Sequence, residues 1–158
     1  MSGRPRVWAV VSTSWLLNSF RTQGVAAALL SSDGRVTVER SGETLTFRPT
    51  SAVRRSGLVF IVGGGVSAEA YAPLLRPLAD DGHPVVVVRL PYRLAPLERH
   101  KQLAVDRVRI EGGNHSQFGH YGDQLFDGTP TTSRERQQDE TRAILRRVLA
   151  AAEPDMRP

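Results

Sequence analysis

A chain of 158 residues, 40% of them hydrophobic, is long enough for one domain with a modest core and has the composition of an ordinary soluble protein. The absence of cysteine excludes disulfides and thiolate metal sites and leaves the compartment open. The net charge of +5 is almost entirely arginine, with Lys101 the single lysine, and the arginines are scattered from Arg4 to Arg157. A solvated basic surface accounts for such a pattern, and nucleic acid is not an expected partner.

In chain order, Val7 to Phe20 is an uncharged, partly apolar stretch behind Arg4 and Arg6. Ser12, Thr13, Ser14 and Asn18 interrupt it, so no stable membrane span is expected. Residues 1–30 read as an apolar helical segment, 31–153 as a single domain and 154–158 as a tail. Cytoplasmic location is the primary expectation, with membrane association or export through the N-terminal segment as the alternative. Arg35 to Pro49 alternates as a β-hairpin turning at Ser41-Gly42. Gly57 to Gly65 (GLVFIVGGG) is continuously apolar, as in a strand buried on both faces.

A helix follows, with Ser67 as N-cap and Tyr71, Leu74, Leu75 and Leu78 at helical spacing. Pro73 falls in its first turn, Pro77 is expected to kink or shorten it, and Gly82 ends it. Pro84 to Pro91 is a second apolar strand, completing a βαβ unit with a right-handed crossover. Asp106 to Gly113 reads as a third, shorter parallel strand, expected to dock through Val108–Ile110 beside Leu58–Val62. Thr132 with Glu135 forms a capping box. Ile144, Leu145, Val148, Leu149 and Ala152 then make one apolar stripe, and Pro154 closes the helix. The class is α/β: a mostly parallel sheet with an N-terminal hairpin and flanking helices.

Two segments carry a resemblance. One is VFIVGGGVSAEAYAPLLRPLADDGHPVVVVRLPYRLAP. The other is EGGNHSQFGHYGDQ, with DGTPTTSRERQQ behind it. Together they resemble the α/β-hydrolase fold-5 family, a dienelactone-hydrolase-like branch of the serine hydrolases, over roughly Arg35 to Leu149. The resemblance implies a truncated α/β-hydrolase fold and a site for an ester-like carbonyl substrate. In that fold a serine attacks the carbonyl, a histidine takes its proton and a carboxylate orients the histidine. His115 holds the position of the histidine. The loop of Gly63, Gly64, Gly65 and Val66 holds the position of the oxyanion hole, with Gly64, Gly65 and Val66 as its expected residues. Taken without the resemblance, the glycines also suit a tight turn or a phosphate cradle, and His115 suits a loop histidine bonded to a carbonyl.

The rest of a triad is not legible. The sequence contains no G-x-S-x-G elbow. Ser67 lies in the oxyanion loop, Ser116 adjoins His115, and Ser56 and Ser41 sit at the wrong strand ends. For the carboxylate, Asp106 belongs to the opposite sheet edge, while Asp123 and Asp127 lie downstream of the histidine. Only eleven residues separate Leu94 from Asp106, where further βαβ units of about 30 residues each belong, so the elbow-bearing segment reads as missing at a seam near Ala104. The expectation is a hydrolase relative with impaired catalysis, or alternatively a non-catalytic binding module, with no cofactor and no metal. A partly bare apolar sheet face is expected to cause self-association. The His115 loop is expected to be the most mobile segment.

Overall fold

The computed structural model describes Trp8, residues 12–15, Asn18, and residues 20–63, 65–89, 108–124 and 126–153. Four strands form one mixed sheet: β1 (Val36–Ser41), β2 (Thr44–Pro49), β3 (Leu58–Ile61) and β4 (Val85–Val88), in the order β1-β2-β4-β3. Two helices flank it, α1 (Ala72–Asp80) and α2 (Arg134–Ala151). The α/β class and the hairpin are as the sequence indicates.

β1 and β2 pair antiparallel from Val36↔Pro49 to Ser41↔Thr44, across a turn through Gly42 and Glu43. β2 then pairs antiparallel with β4 (Phe47↔Val85), so the hairpin extends the sheet on the expected side. β3 and β4 are parallel neighbours, Leu58↔Val85 to Ile61↔Val88, flanking α1 as one crossover unit. Among the described residues no third parallel strand forms. Residues 108–110 have no strand conformation, and β3 is an edge of the described sheet. Among the described residues, β3–β4 is therefore the one parallel ladder.

α1 supplies the core. Leu74, Leu75 and Leu78 are fully buried with Val36, Leu45, Phe47, Val85 and Val87, and each such leucine contributes roughly 1.5–3 kcal/mol. Pro73 occupies the first turn as expected. Pro77 lies inside the helix without ending it. A proline has no N–H to give to the carbonyl four residues back, and that carbonyl, on Pro73, instead accepts from Arg142 Nη1 of α2 at 3.1 Å. The helix closes where Gly82 takes φ +97° and His83 N–H returns to the Leu78 carbonyl at 3.0 Å. A side chain at Gly82 would also meet the Ala52 carbonyl oxygen at 2.5 Å.

Two details of α2 differ from expectation. Its N-cap is Ser133, whose hydroxyl accepts from Arg136 N–H at 3.2 Å. Thr132 is held in the preceding loop, its N–H on the Gly112 carbonyl and its carbonyl on Gln117 Nε2. The apolar stripe is only partly covered: Leu149 is buried, but Val148 is 59% exposed. The helix docks instead through buried Gln137 and Gln138 and against α1.

One face of the sheet consequently carries the core, and the other is partly bare. β3 is not buried on both faces, because Val59 is 67% and Ile61 46% exposed. Arg76, by contrast, is buried; its guanidinium bonds the Leu29 and Ser31 carbonyls and the Asp33 carboxylate at 2.7–3.1 Å, fastening α1 to the segment before β1.

Candidate functional site

The site lies where β3 runs out into the glycine loop. A Cβ built on Gly63 would stand 3.6 Å from the Tyr71 hydroxyl and 3.8 Å from His115 Nε2, with no other described residue within 4 Å except its chain neighbours. The histidine loop and the glycine loop thus meet, although more than 50 residues separate them in sequence. His115 is exposed. Neither of its ring nitrogens is hydrogen-bonded to another described residue, while its backbone is held firmly.

Asp127 does most of that holding. Its carboxylate accepts from His115 N–H at 2.6 Å, from Ser116 N–H at 2.7 Å and from the Ser116 hydroxyl. Partial burial pushes the Asp127 carboxyl up, but the Ser116 hydroxyl and the two backbone amides outweigh it and leave the group below its ordinary value. The loop is tied further by Gln137, which accepts from Asn114 N–H and donates to the Asn114 carbonyl, and by Gln138, which donates to the Gln117 carbonyl. The segment is therefore cross-linked to α2. The carboxylate works on the loop backbone, and the imidazole is left open.

Two tyrosines close the back of the site. Tyr121 donates its phenolic proton to the His115 carbonyl at 3.0 Å. Its ring lies 5.9 Å from that of Tyr71, which in turn packs on Phe60 of β3 at 4.9 Å. Burial raises both phenols above their ordinary value. The sequence shows Tyr71 only as one apolar position of a helical stripe, and nothing local marks Tyr121.

Of the expected oxyanion residues, Gly65 and Val66 are described. Gly64 lies outside the described residues. Gly65 takes φ +82° and approaches the Phe20 ring so closely that a Cβ would meet it at 2.7 Å, so only glycine fits. Val66 is buried, and its N–H turns back to the Gly63 carbonyl at 3.4 Å, closing a turn.

Three of the serines considered from the sequence are engaged elsewhere. Ser116 is buried on Asp127. Ser67 pairs its hydroxyl with that of Thr22 at 2.5 Å. Ser56 lies at the start of β3, the far end of the strand, and there meets the other two residue types of a triad. Its hydroxyl is 3.0 Å from His83 Nδ1 and donates to Glu153 at 2.8 Å. The order is wrong for nucleophilic catalysis, because the carboxylate grips the serine where a triad carboxylate would orient the histidine. Asp106 and the seam near Ala104 lie outside the described residues, and no group of three His, Cys, Asp or Glu among the described residues could hold a metal ion.

Comparison with known proteins gives one family match: residues 57–109 match the alpha/beta hydrolase family. The matched third of the chain contains β3, the glycine loop, α1 and β4, and ends before His115. No curated protein and no solved structure matches the chain.

Proposed function

We propose that this chain is a serine-hydrolase relative that receives ester-like carbonyl compounds at the His115–Gly63 site and is impaired in their hydrolysis. One observation carries the reading: the imidazole stands open beside the glycine loop, while Ser56, Ser67 and Ser116 are each hydrogen-bonded to other groups. A histidine without a serine nucleophile placed against its ring is a general base only and forms no acyl-enzyme. The lack of a G-x-S-x-G elbow in the sequence supports the same reading, as does the short span between Leu94 and Asp106 where the elbow-bearing units of a full-length relative would lie. The match over residues 57–109 supports the hydrolase ancestry of the glycine loop.

The test is direct. Purified protein is incubated with a fluorophosphonate probe and, separately, with short-chain nitrophenyl esters. Turnover no faster than in buffer containing free imidazole, and no labelled serine, are the expected results. Stoichiometric labelling of one serine, lost in His115→Ala, sinks the proposal and restores a working hydrolase.

The bare face gives this reading its partner. Among the described strands β3 is an uncharged edge, and its Val59 and Ile61 are exposed; edges of this kind pair readily with a second copy. Light scattering after size exclusion is expected to find an oligomer that Val59→Lys with Ile61→Lys returns to monomer. A wild-type monomer across the accessible concentration range rejects the self-association.

A further inference from the structure

We propose that the start of β3, the end away from His115, holds a binding site for a free phosphate ion, built from Arg54, Arg146, His83 and Asp81. The proposal does not depend on the hydrolase reading. A cavity of about 320 Å³ opens there, lined by these residues and Ala150. Small-molecule sites run from roughly 300 to 1,000 Å³, so a small ligand fits. The segment before β3, the closing turn of α1 and the last turns of α2 form the walls. One residue fixes both arginines: Arg54 Nε donates to the Asp81 carbonyl at 3.1 Å, and Arg146 Nε to Asp81 Oδ2 at 2.7 Å. The Arg54 backbone is tied as well, its N–H on the Gly82 carbonyl at 2.8 Å. Each guanidinium thus spends its Nε, and its terminal nitrogens have no hydrogen bond to another described residue.

Two open guanidinium forks on one anchor suit an oxyanion. The last carbonyls of α1, which would oppose one, are occupied: those of Pro77, Leu78 and Ala79 accept from Asp81, His83 and Gly82 N–H. Glu153 is spent on Ser56. The remaining wall selects among oxyanions. His83 is buried, and its Nδ1 lies 3.0 Å from the Ser56 hydroxyl and 3.1 Å from the Ser56 carbonyl. The hydroxyl gives its proton to Glu153 and the carbonyl can only accept, so Nδ1 carries the proton. In the neutral ring Nε2 is then an acceptor. It has no hydrogen bond to another described residue and is the polar atom His83 has left for the cavity. The Asp81 carboxylate is a second acceptor. A ligand here must therefore offer acceptor oxygens to the arginines and a proton to His83 or Asp81. At neutral pH inorganic phosphate keeps a P–OH, sulfate keeps none, and a phosphomonoester has mostly lost its last proton.

Inorganic phosphate is the probe, titrated calorimetrically into the full chain at neutral pH and constant ionic strength. Saturable binding at one site is expected, with sulfate and methyl phosphate each weaker by about tenfold or more, the effect of a missing hydrogen bond to a charged group. Arg146→Gln is expected to weaken phosphate about tenfold for the same reason. Ala150 is exposed on α2, so Ala150→Glu adds a carboxylate to the cavity wall with no change expected in the urea midpoint, and phosphate binding is expected to be lost. Both variants are checked for folding by urea unfolding without phosphate. No saturable heat with phosphate, sulfate bound as tightly as phosphate, or unchanged phosphate binding in either folded variant overturns the site. Tighter binding of methyl phosphate overturns the choice of the free ion.

Discussion

The two ends of β3 each bring a histidine to a serine and a carboxylate, and they do opposite things with them. At the start of the strand, Ser56 bonds both His83 and Glu153, and both Ser56 and His83 are buried. At its end, Asp127 takes up Ser116 and the loop backbone, and the ring of His115 is left exposed beside Gly63. Triad residue types are thus not sufficient evidence of a site. What distinguishes the two is an exposed imidazole without a hydrogen bond to another described residue, and that belongs to the end at which the strands of an α/β sheet present their ligand-binding loops.

The comparison breaks first, and by the largest margin, at Asp127. Asp127→Ala leaves two amides and the buried Ser116 hydroxyl without their acceptor, and is expected to cost about 2–3 kcal/mol. Urea unfolding measures it, and a change under 0.5 kcal/mol would mean that the loop is held by Gln137 and Gln138 alone. At the other end, Ser56→Ala removes the bonds to His83 and Glu153 and is expected to cost about 1–2 kcal/mol. An unchanged urea midpoint in this variant would mean that the Ser56 hydroxyl does not hold this end of the strand.

Acid should loosen both ends together. The carboxyls of Asp127 and Glu153 are held below their ordinary values of 3.8 and 4.5, in the first case against partial burial by Ser116 and the two amides, in the second chiefly by the Ser56 hydroxyl. A carboxyl lowered on folding stabilises the protein above its unfolded value, and that stability drains away as pH falls through the folded value. The urea midpoint is expected to hold between pH 7 and 5 and to fall below about pH 4.5. Glu153→Gln should flatten part of this dependence, and an unchanged slope would remove Glu153 from the explanation. The smallest effect belongs to His115 itself. Its exposed ring supports nothing, so His115→Ala is expected to stay within about 0.5 kcal/mol of the wild type. A larger loss would make it structural, like His83.

Much of the frame was legible because it depends on local pattern. Alternation over Val36 to Phe47, a Ser-Gly turn, two short valine-rich runs and a leucine stripe between them specify a hairpin and a crossover unit without reference to anything distant. Pairing partners are another matter. Val108–Ile110 was expected on the β3 edge because that edge would otherwise be open, and an open edge is what the described residues have. Ser133 in place of Thr132 as N-cap turns on a hydrogen bond to Gly112, some twenty residues upstream.

For the site, the sequence by itself determined the ingredients: a glycine loop after an apolar strand, a histidine in a second glycine-rich loop, and no elbow serine. Each is a matter of residue identity and near-neighbour spacing. Only the tertiary structure decided how they are used. Asp127 could be the orienting carboxylate or a backbone clasp, and the choice was made by a loop that turns its amides, not the imidazole, toward the carboxylate. Tyr71 could be core or ligand contact, and the fold makes it core, with its ring packed on Phe60 and its hydroxyl turned toward Gly63. Such roles depend on the direction in which a side chain leaves a packed core, and direction is fixed by contacts between residues far apart in the chain.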